Sequence, residues 1–289
     1  ALMGGGSDLD EAFHWLCGKA GGGDFLILRA RGDDAYNKYV NGLCHANSVA
    51  TLIIPDRQAA QDPAVARIIS EAEAVFLAGG DQARYVNFWK GTPVEDAINR
   101  NIAEHKPIGG TSAGLAILGQ FAYGALNDKE DDADLSSAEV LRNPYFGRVT
   151  LVRDFLKVPH LENTLTDSHF AKRNRMGRSL GFLARIVEDG WSRAPREIAV
   201  DEKSAVLMDS DGAAKVVGPG RGAYFMEVTE PPQKCQPDVA LTFRGISVHH
   251  VRRGDKFDIA AWSGPKSVNY SLTVTDGVIA STQSGGLIY

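Results

Sequence analysis

The 289-residue sequence predicts an α/β protein: a doubly wound, mostly parallel sheet in residues 1–232, followed by a small antiparallel β module in residues 233–289. Three observations predict it. Apolar runs alternate with helical periodicities through residues 1–120, the pattern of successive βαβ units. Glycine clusters fall just after the strands, at Gly4-Gly5-Gly6, Gly79-Gly80 and Gly109-Gly110. Beyond Pro231-Pro232 the patterning is purely that of strands.

Taken in order, the opening strand and its glycines lead to residues 8–20, where Leu9, Ala12, Phe13 and Leu16 have helical spacing and Ser7 or Asp8 is placed to cap. Residues 25–28 read as a short buried strand, 33–45 as a helix, and 49–54 as a strand rich in β-branched residues. Residues 62–73 are helical and 74–77 a strand. A helix over 93–104 starts on Pro93, which suits a first turn. The strand at 107–108 meets the third glycine cluster. From 127 to 148 the periodicity disappears into an acidic stretch that reads as a surface loop. A strand at 149–152, an amphipathic helix through Ala184, and a hairpin around Asp211-Gly212 follow. The last segment reads as strands at 239–243, 246–251, 257–262, 270–275 and 278–281.

Composition excludes several classes. With 44% hydrophobic and 23% charged residues the chain is too apolar for disorder, and it has no apolar run of membrane-spanning length. A net charge of −5 without basic blocks argues against a nucleic-acid partner. Cys17, Cys44 and Cys235 are too few for a disulfide framework and too dispersed for a zinc ribbon. They read as buried free thiols, with a Cys17–Cys44 bridge as the alternative. The abrupt opening Ala1-Leu2-Met3 reads as a strand entered partway, with an upstream segment removed, so both an exported (periplasmic or secreted) and a cytoplasmic protein are compatible with it.

Chemistry concentrates at Gly110-Thr111-Ser112-Ala113-Gly114, a Gly-x-Ser-x-Gly nucleophile elbow with a strand before it and a helix expected over 115–121. Such a turn exposes the serine hydroxyl above the sheet and directs the next amide, that of Ala113, at a developing oxyanion. A serine needs a base. His14, His45 and His105 fall on early helices or their ends, and His249 and His250 on the β module, leaving His160 and His169. His169 lies at a strand exit in Asp167-Ser168-His169-Phe170, with Arg173, Arg175 and Arg178 after it. Arginines on a helix are commonly a solvated face; beside a base they can clamp a carboxylate.

Gly79-Gly80-Asp81-Gln82, the Gly-Thr-Ser-Ala-Gly elbow and Asp167-x-His169-Phe170 with its arginines together resemble the cyanophycinase and dipeptidase E family of serine peptidases, over most of residues 1–225. The resemblance implies a flavodoxin-like, class I glutamine-amidotransferase-like fold and hydrolysis of peptide bonds at aspartyl residues. It implies Ser112 as nucleophile, His169 as general base, and the amides of Gly80 and Ala113 as the oxyanion hole. Gln82, Asp167, Arg173, Arg175 and Arg178 fall on substrate-pocket positions. Ser168 stands where true cyanophycinases carry glutamine, which points away from cyanophycin itself and leaves aspartyl or isoaspartyl peptides. The family's third triad member is expected as an acid between serine and histidine in the chain. Glu139 is the choice, with Asp128, Glu130 and Asp134 as competitors.

The expected enzyme uses no metal and no organic cofactor. Its expected partners are a small peptide or polypeptide substrate and at most a second copy in a homodimer, with no nucleic acid and no membrane. Two other readings compete: an α/β-hydrolase-type esterase, whose histidine would come as late as His249, and a non-catalytic protein that binds acidic peptides on the same scaffold.

Overall fold

A computed structural model describes residues 1–129 and 131–289 and has, among them, two eight-stranded sheets in a mixed α/β arrangement. In chain order the first half runs β1 (Leu2–Met3), α1 (Asp10–Ala20), β2 (Asp24–Arg29), α2 (Ala35–Cys44), β3 (Ser48–Ile53), α3 (Arg57–Ala60), α4 (Pro63–Glu71), β4 (Ala74–Leu77), α5 (Gln82–Trp89), α6 (Pro93–Ala103), β5 (Ile108–Thr111) and α7 (Ala113–Ala116). The second half runs β6 (Phe121–Tyr123), α8 (Ser137–Arg142), β7 (Leu151–Arg153), β8 (Thr164–Asp167), α9 (Met176–Glu188), β9 (Arg196–Val200), β10 (Ala205–Met208), β11 (Ala213–Val217), β12 (Ala223–Val228), β13 (Phe243–Val251), β14 (Lys256–Asp258), β15 (Val268–Thr275) and β16 (Val278–Ser281).

The first sheet has the order β14-β11-β10-β1-β5-β4-β2-β3. Its run from β1 to β3 is parallel, and β10, β11 and β14 add antiparallel strands at one side. Strand periodicity divides the apolar side chains between two faces. Phe25, Ile27, Ala74 and Phe76 pack with Phe13 and Leu16 of α1 and Val40 of α2. Their neighbours Leu26, Leu28, Val75 and Leu77 pack with Tyr85, Trp89, Val94 and Ile98 of α5 and α6. Local capping sets the helix starts: Asp62 accepts from the Ala64 amide at 2.8 Å with Pro63 next to it, and Asp81 accepts from Ala83 at 2.9 Å.

The second sheet has the order β16-β15-β13-β12-β9-β8-β6-β7. Ile198, Val200 and Phe225 join the first sheet's core, while Ala199, Tyr224 and Met226 pack on Met176, Leu180 and Leu183 of α9. It is mostly antiparallel, with parallel pairing only of β6 with β8 and β8 with β9 among the described residues.

Three expectations are corrected here. Residues 233–289 do not close into a module of their own: β13 pairs with β12, and β14 pairs with β11 of the other sheet. Alternation marks which residues of a strand face a core, not which strand it will join. The helix expected over 115–121 is the single turn α7, and Phe121 already belongs to β6; a short buried apolar run carries too little period to tell the two apart. Cys17 and Cys44 are joined in a disulfide between α1 and α2, with Cα atoms 5.5 Å apart, and Cys235 is the free, buried thiol.

Candidate active site

Ser112 stands between β5 and α7 at φ 52°, the strained positive-φ backbone that a nucleophile elbow imposes on a non-glycine residue. Small neighbours make the turn sterically feasible. A Cβ on Gly110 would lie 2.6 Å from the Gly114 carbonyl, and one on Gly114 would lie 2.1 Å from the Leu77 carbonyl oxygen. The exit of β4 lies alongside, since a Cβ on Gly79 would come 3.5 Å from the Ser112 Cβ. The Tyr85 hydroxyl donates to the Ala78 carbonyl at 2.8 Å and holds that exit in place. Ser112, Gly80, Ala113 and Gln82 therefore line one cleft of about 870 Å³.

The Ser112 Oγ is 2.7 Å from Nε2 of His169. His169 follows β8 at φ 48°, and its amide donates to the Gly4 carbonyl at 2.7 Å. Nδ1 of the same ring is 2.7 Å from Oε1 of Glu202. An ionised carboxylate only accepts, so Nδ1 carries the ring proton and Nε2 accepts from the serine. Burial pushes the His169 pKa below its ordinary value, with Arg173 and Arg175 acting the same way and the Glu202 hydrogen bond opposing them. The His169 bond holds the Glu202 carboxyl below the usual range.

Glu139, the expected third member, is elsewhere. Its carboxylate accepts from the Ser136 amide at 2.9 Å and the Ser136 hydroxyl at 2.7 Å, closing a capping box at the start of α8. The Ser136-x-x-Glu139 spacing is itself the sequence signal for that structural role. Asp128 bonds Tyr123 and Arg148, Asp134 bonds Arg175, and Glu130 lies outside the described residues. Glu202 comes after the histidine in the chain, two residues past β9. Its signal is topological: β9 is parallel to β8, so both strands end at the same edge.

The first glycine cluster proves part of the site. Gly5 lies against the imidazole, where a Cβ would be 2.4 Å from Cε1 of His169. The Gly5 carbonyl accepts from Lys203 at 2.9 Å, and the Gly4 amide donates to Ser204 at 2.9 Å. The β1 exit thus ties the turn that carries His169 to the turn that carries Glu202.

The pocket arginines divide. Arg178 is 1% exposed, so it is no solvated face; it grips the buried Asp167 through Nε at 3.0 Å and Nη2 at 2.6 Å, with Tyr123 and Phe182 against its guanidinium. Arg175 is also buried and bonds Asp167, Asp134 and the Ser168 carbonyl. Arg173 is the half-exposed one, 3.9 Å from Glu202 and 3.8 Å from Asp134. Arg173, Arg175 and Asp167 line the cleft, as Ser112 does. The late histidine of the esterase reading is not at Ser112; His249 sits on β13, bonded to Asn269 at 2.8 Å. Among the described residues no helix is long and apolar enough to cross a membrane.

Comparison with known proteins bears on the family. The model of Peptidase family S51 matches residues 30–189. Cyanophycinase of Trichormus variabilis is 26% identical over 219 residues, covering 74% of this chain and 66% of that enzyme, just under two thirds of its length. Cyanophycinase of Synechococcus elongatus is 27% identical over 261 residues, covering 84% of this chain and 73% of the other. A peptidase from an acI-B1 Actinobacterium has the same fold, with a TM-score of 0.55 over 96% of this chain and 94% of its own at 16% identity. The family match takes in more than half of the sequence and spans Ser112, His169 and all three arginines, and the chain belongs to peptidase family S51.

Proposed function

We propose that the protein is a serine peptidase in which Ser112, His169 and Glu202 act as the triad and the amides of Gly80 and Ala113 as the oxyanion hole. One observation carries the reading: the unbroken chain from Ser112 Oγ through the His169 ring to Glu202, with both contacts at 2.7 Å. Ser112 attacks the scissile carbonyl carbon as its proton passes to Nε2 of His169. Glu202 stabilises the imidazolium, and the two amides receive the oxyanion, each contributing about 3–4 kcal/mol to the barrier lowering. The tetrahedral intermediate then collapses, the C–N bond breaks, and Nε2 protonates the departing amine. Water, deprotonated by the same nitrogen, releases the acid and restores Ser112.

The substrate is proposed to be an aspartyl or isoaspartyl peptide, whose carboxylate would meet the arginines on the cleft wall. Buried Ser168 lies beside Arg175 there. The parallel order β3-β2-β4-β5, which corresponds to the 2-1-3-4 part of a flavodoxin-like sheet, supports that reading of the first sheet, with the chain's first strand β1 in the fifth place. The Cys17–Cys44 bridge supports an oxidising compartment, hence export. The test is a screen of α- and β-aspartyl dipeptides, with cyanophycin alongside, against wild type and Ser112→Ala. The expected result is hydrolysis that falls on the order of 10⁶-fold in the variant; equal rates in both proteins would refute the reading.

A further inference from the structure

Arg175 on the cleft wall and the buried Arg178 already hold carboxylates that belong to the protein. Arg178 and one nitrogen of Arg175 are committed to Asp167, a strand residue that is itself buried. The remaining edge of Arg175 is filled by Asp134: Nη2 is 2.8 and 2.7 Å from its two oxygens, and Nε is 3.1 Å from one of them. Asp134 also lies 3.8 Å from Arg173 and 3.8 Å from Arg178, so a single carboxylate faces all three guanidinium groups.

Asp134 differs from Asp167 in how it is held. Its side chain is 43% exposed and lines the cleft, on the chain between β6 and α8. That segment is pinned by Arg148, whose Nε is 2.7 Å from Asp128 and whose Nη2 donates to the Ala133 carbonyl at 2.7 Å. An ion pair open to water contributes little net free energy, whereas a largely buried guanidinium stripped of its carboxylate readily takes another. The fork of Arg175 therefore suits exchange of one carboxylate for another of the same shape.

We propose that Asp134 is a specificity-determining residue: it fills the carboxylate seat on Arg175 in the unliganded enzyme, and a substrate or product carboxylate binds by displacing it. The proposal rests on the peptidase reading and deepens it. A small free diacid must compete with Asp134 through its carboxylate alone, while a peptide has its remaining contacts to offset the displacement. The return of Asp134 to Arg175 then favours release of an acidic product.

Calorimetric titration with succinate tests this without catalysis, in wild type, Asp134→Asn, Asp134→Glu and Arg148→Gln. Asp134→Asn is expected to bind succinate about tenfold more tightly, the scale of one charge-assisted contact. Asp134→Glu, which keeps the competing charge, should bind as wild type does. Arg148→Gln, which frees the segment and leaves every cleft arginine in place, should tighten binding in the same direction as Asp134→Asn and decides the matter if the latter fails to fold. Weaker or unchanged succinate affinity in both Asp134→Asn and Arg148→Gln would overturn the proposal. Absence of peptide hydrolysis by wild type would instead refute the peptidase reading, a result separate from the titration.

Discussion

Glu202 places Oε1 2.7 Å from Nδ1 of His169 although the two residues are 33 positions apart in the chain. The parallel pairing of β8 and β9 brings the two strand exits together, and Gly4 and Gly5 of the β1 exit bridge the turns that carry them. The contact between Glu202 and His169 is thus a property of sheet topology. Glu202→Gln is expected to lower kcat by about 10³–10⁴-fold, because an amide can no longer fix the productive tautomer or stabilise the imidazolium. Glu139→Ala should leave kcat near wild type and lower stability by about 0.5–1 kcal/mol through loss of its capping box. Steady-state kinetics on the two variants, with a thermal melt of each, separate the roles.

The pH dependence of kcat/KM reports the base in the free enzyme. Burial, helped by Arg173 and Arg175, depresses the His169 pKa, so the protonated, inactive form is populated only below the ordinary histidine range. Activity should rise with pH along an acidic limb that lies below the ordinary histidine range. Arg173→Gln removes one of the depressing charges and should move that limb to higher pH. A limb that stays in place or moves to lower pH in this variant would contradict the electrostatic account.

Gly5 leaves no room for a side chain against the imidazole. A Cβ would sit 2.5 Å from Nε2 of His169, and the residue has φ +88°. Gly5→Ala should displace the ring from Ser112 and lower kcat by about 10²-fold, since misplacement of reacting groups by roughly 1 Å has that effect. Loss of labelling of Ser112 by a fluorophosphonate, measured at a temperature where the variant remains folded, checks it.

The Cys17–Cys44 bridge closes a span of 27 residues between α1 and α2 and lines no part of the cleft. Its removal by Cys17→Ser with Cys44→Ser should lower unfolding free energy by about 3–4 kcal/mol. Activity at low temperature should be retained. Urea denaturation of both proteins, with and without reductant, measures the difference, and reductant should affect only wild type.

Much was legible in the sequence because it depends on local physics. The alternation of strand and helix periods determined the parallel βαβ half, and β4 and β16 fall on the residues that the pattern marks. The elbow was legible because a serine at positive φ needs small neighbours close in the chain. His169 and its arginines followed from their position at a strand exit. Tertiary structure decided the rest. Which strands pair across the sheets put residues 233–289 into both of them and brought Glu202, rather than Glu139, to the base. It also decided that Arg178 is buried on Asp167, while Arg175 is shared between Asp167 and Asp134. Periodicity and capping are short-range and can be read along the chain. The partner of a carboxylate is fixed by long-range pairing, and that is expressed only when the sheets assemble.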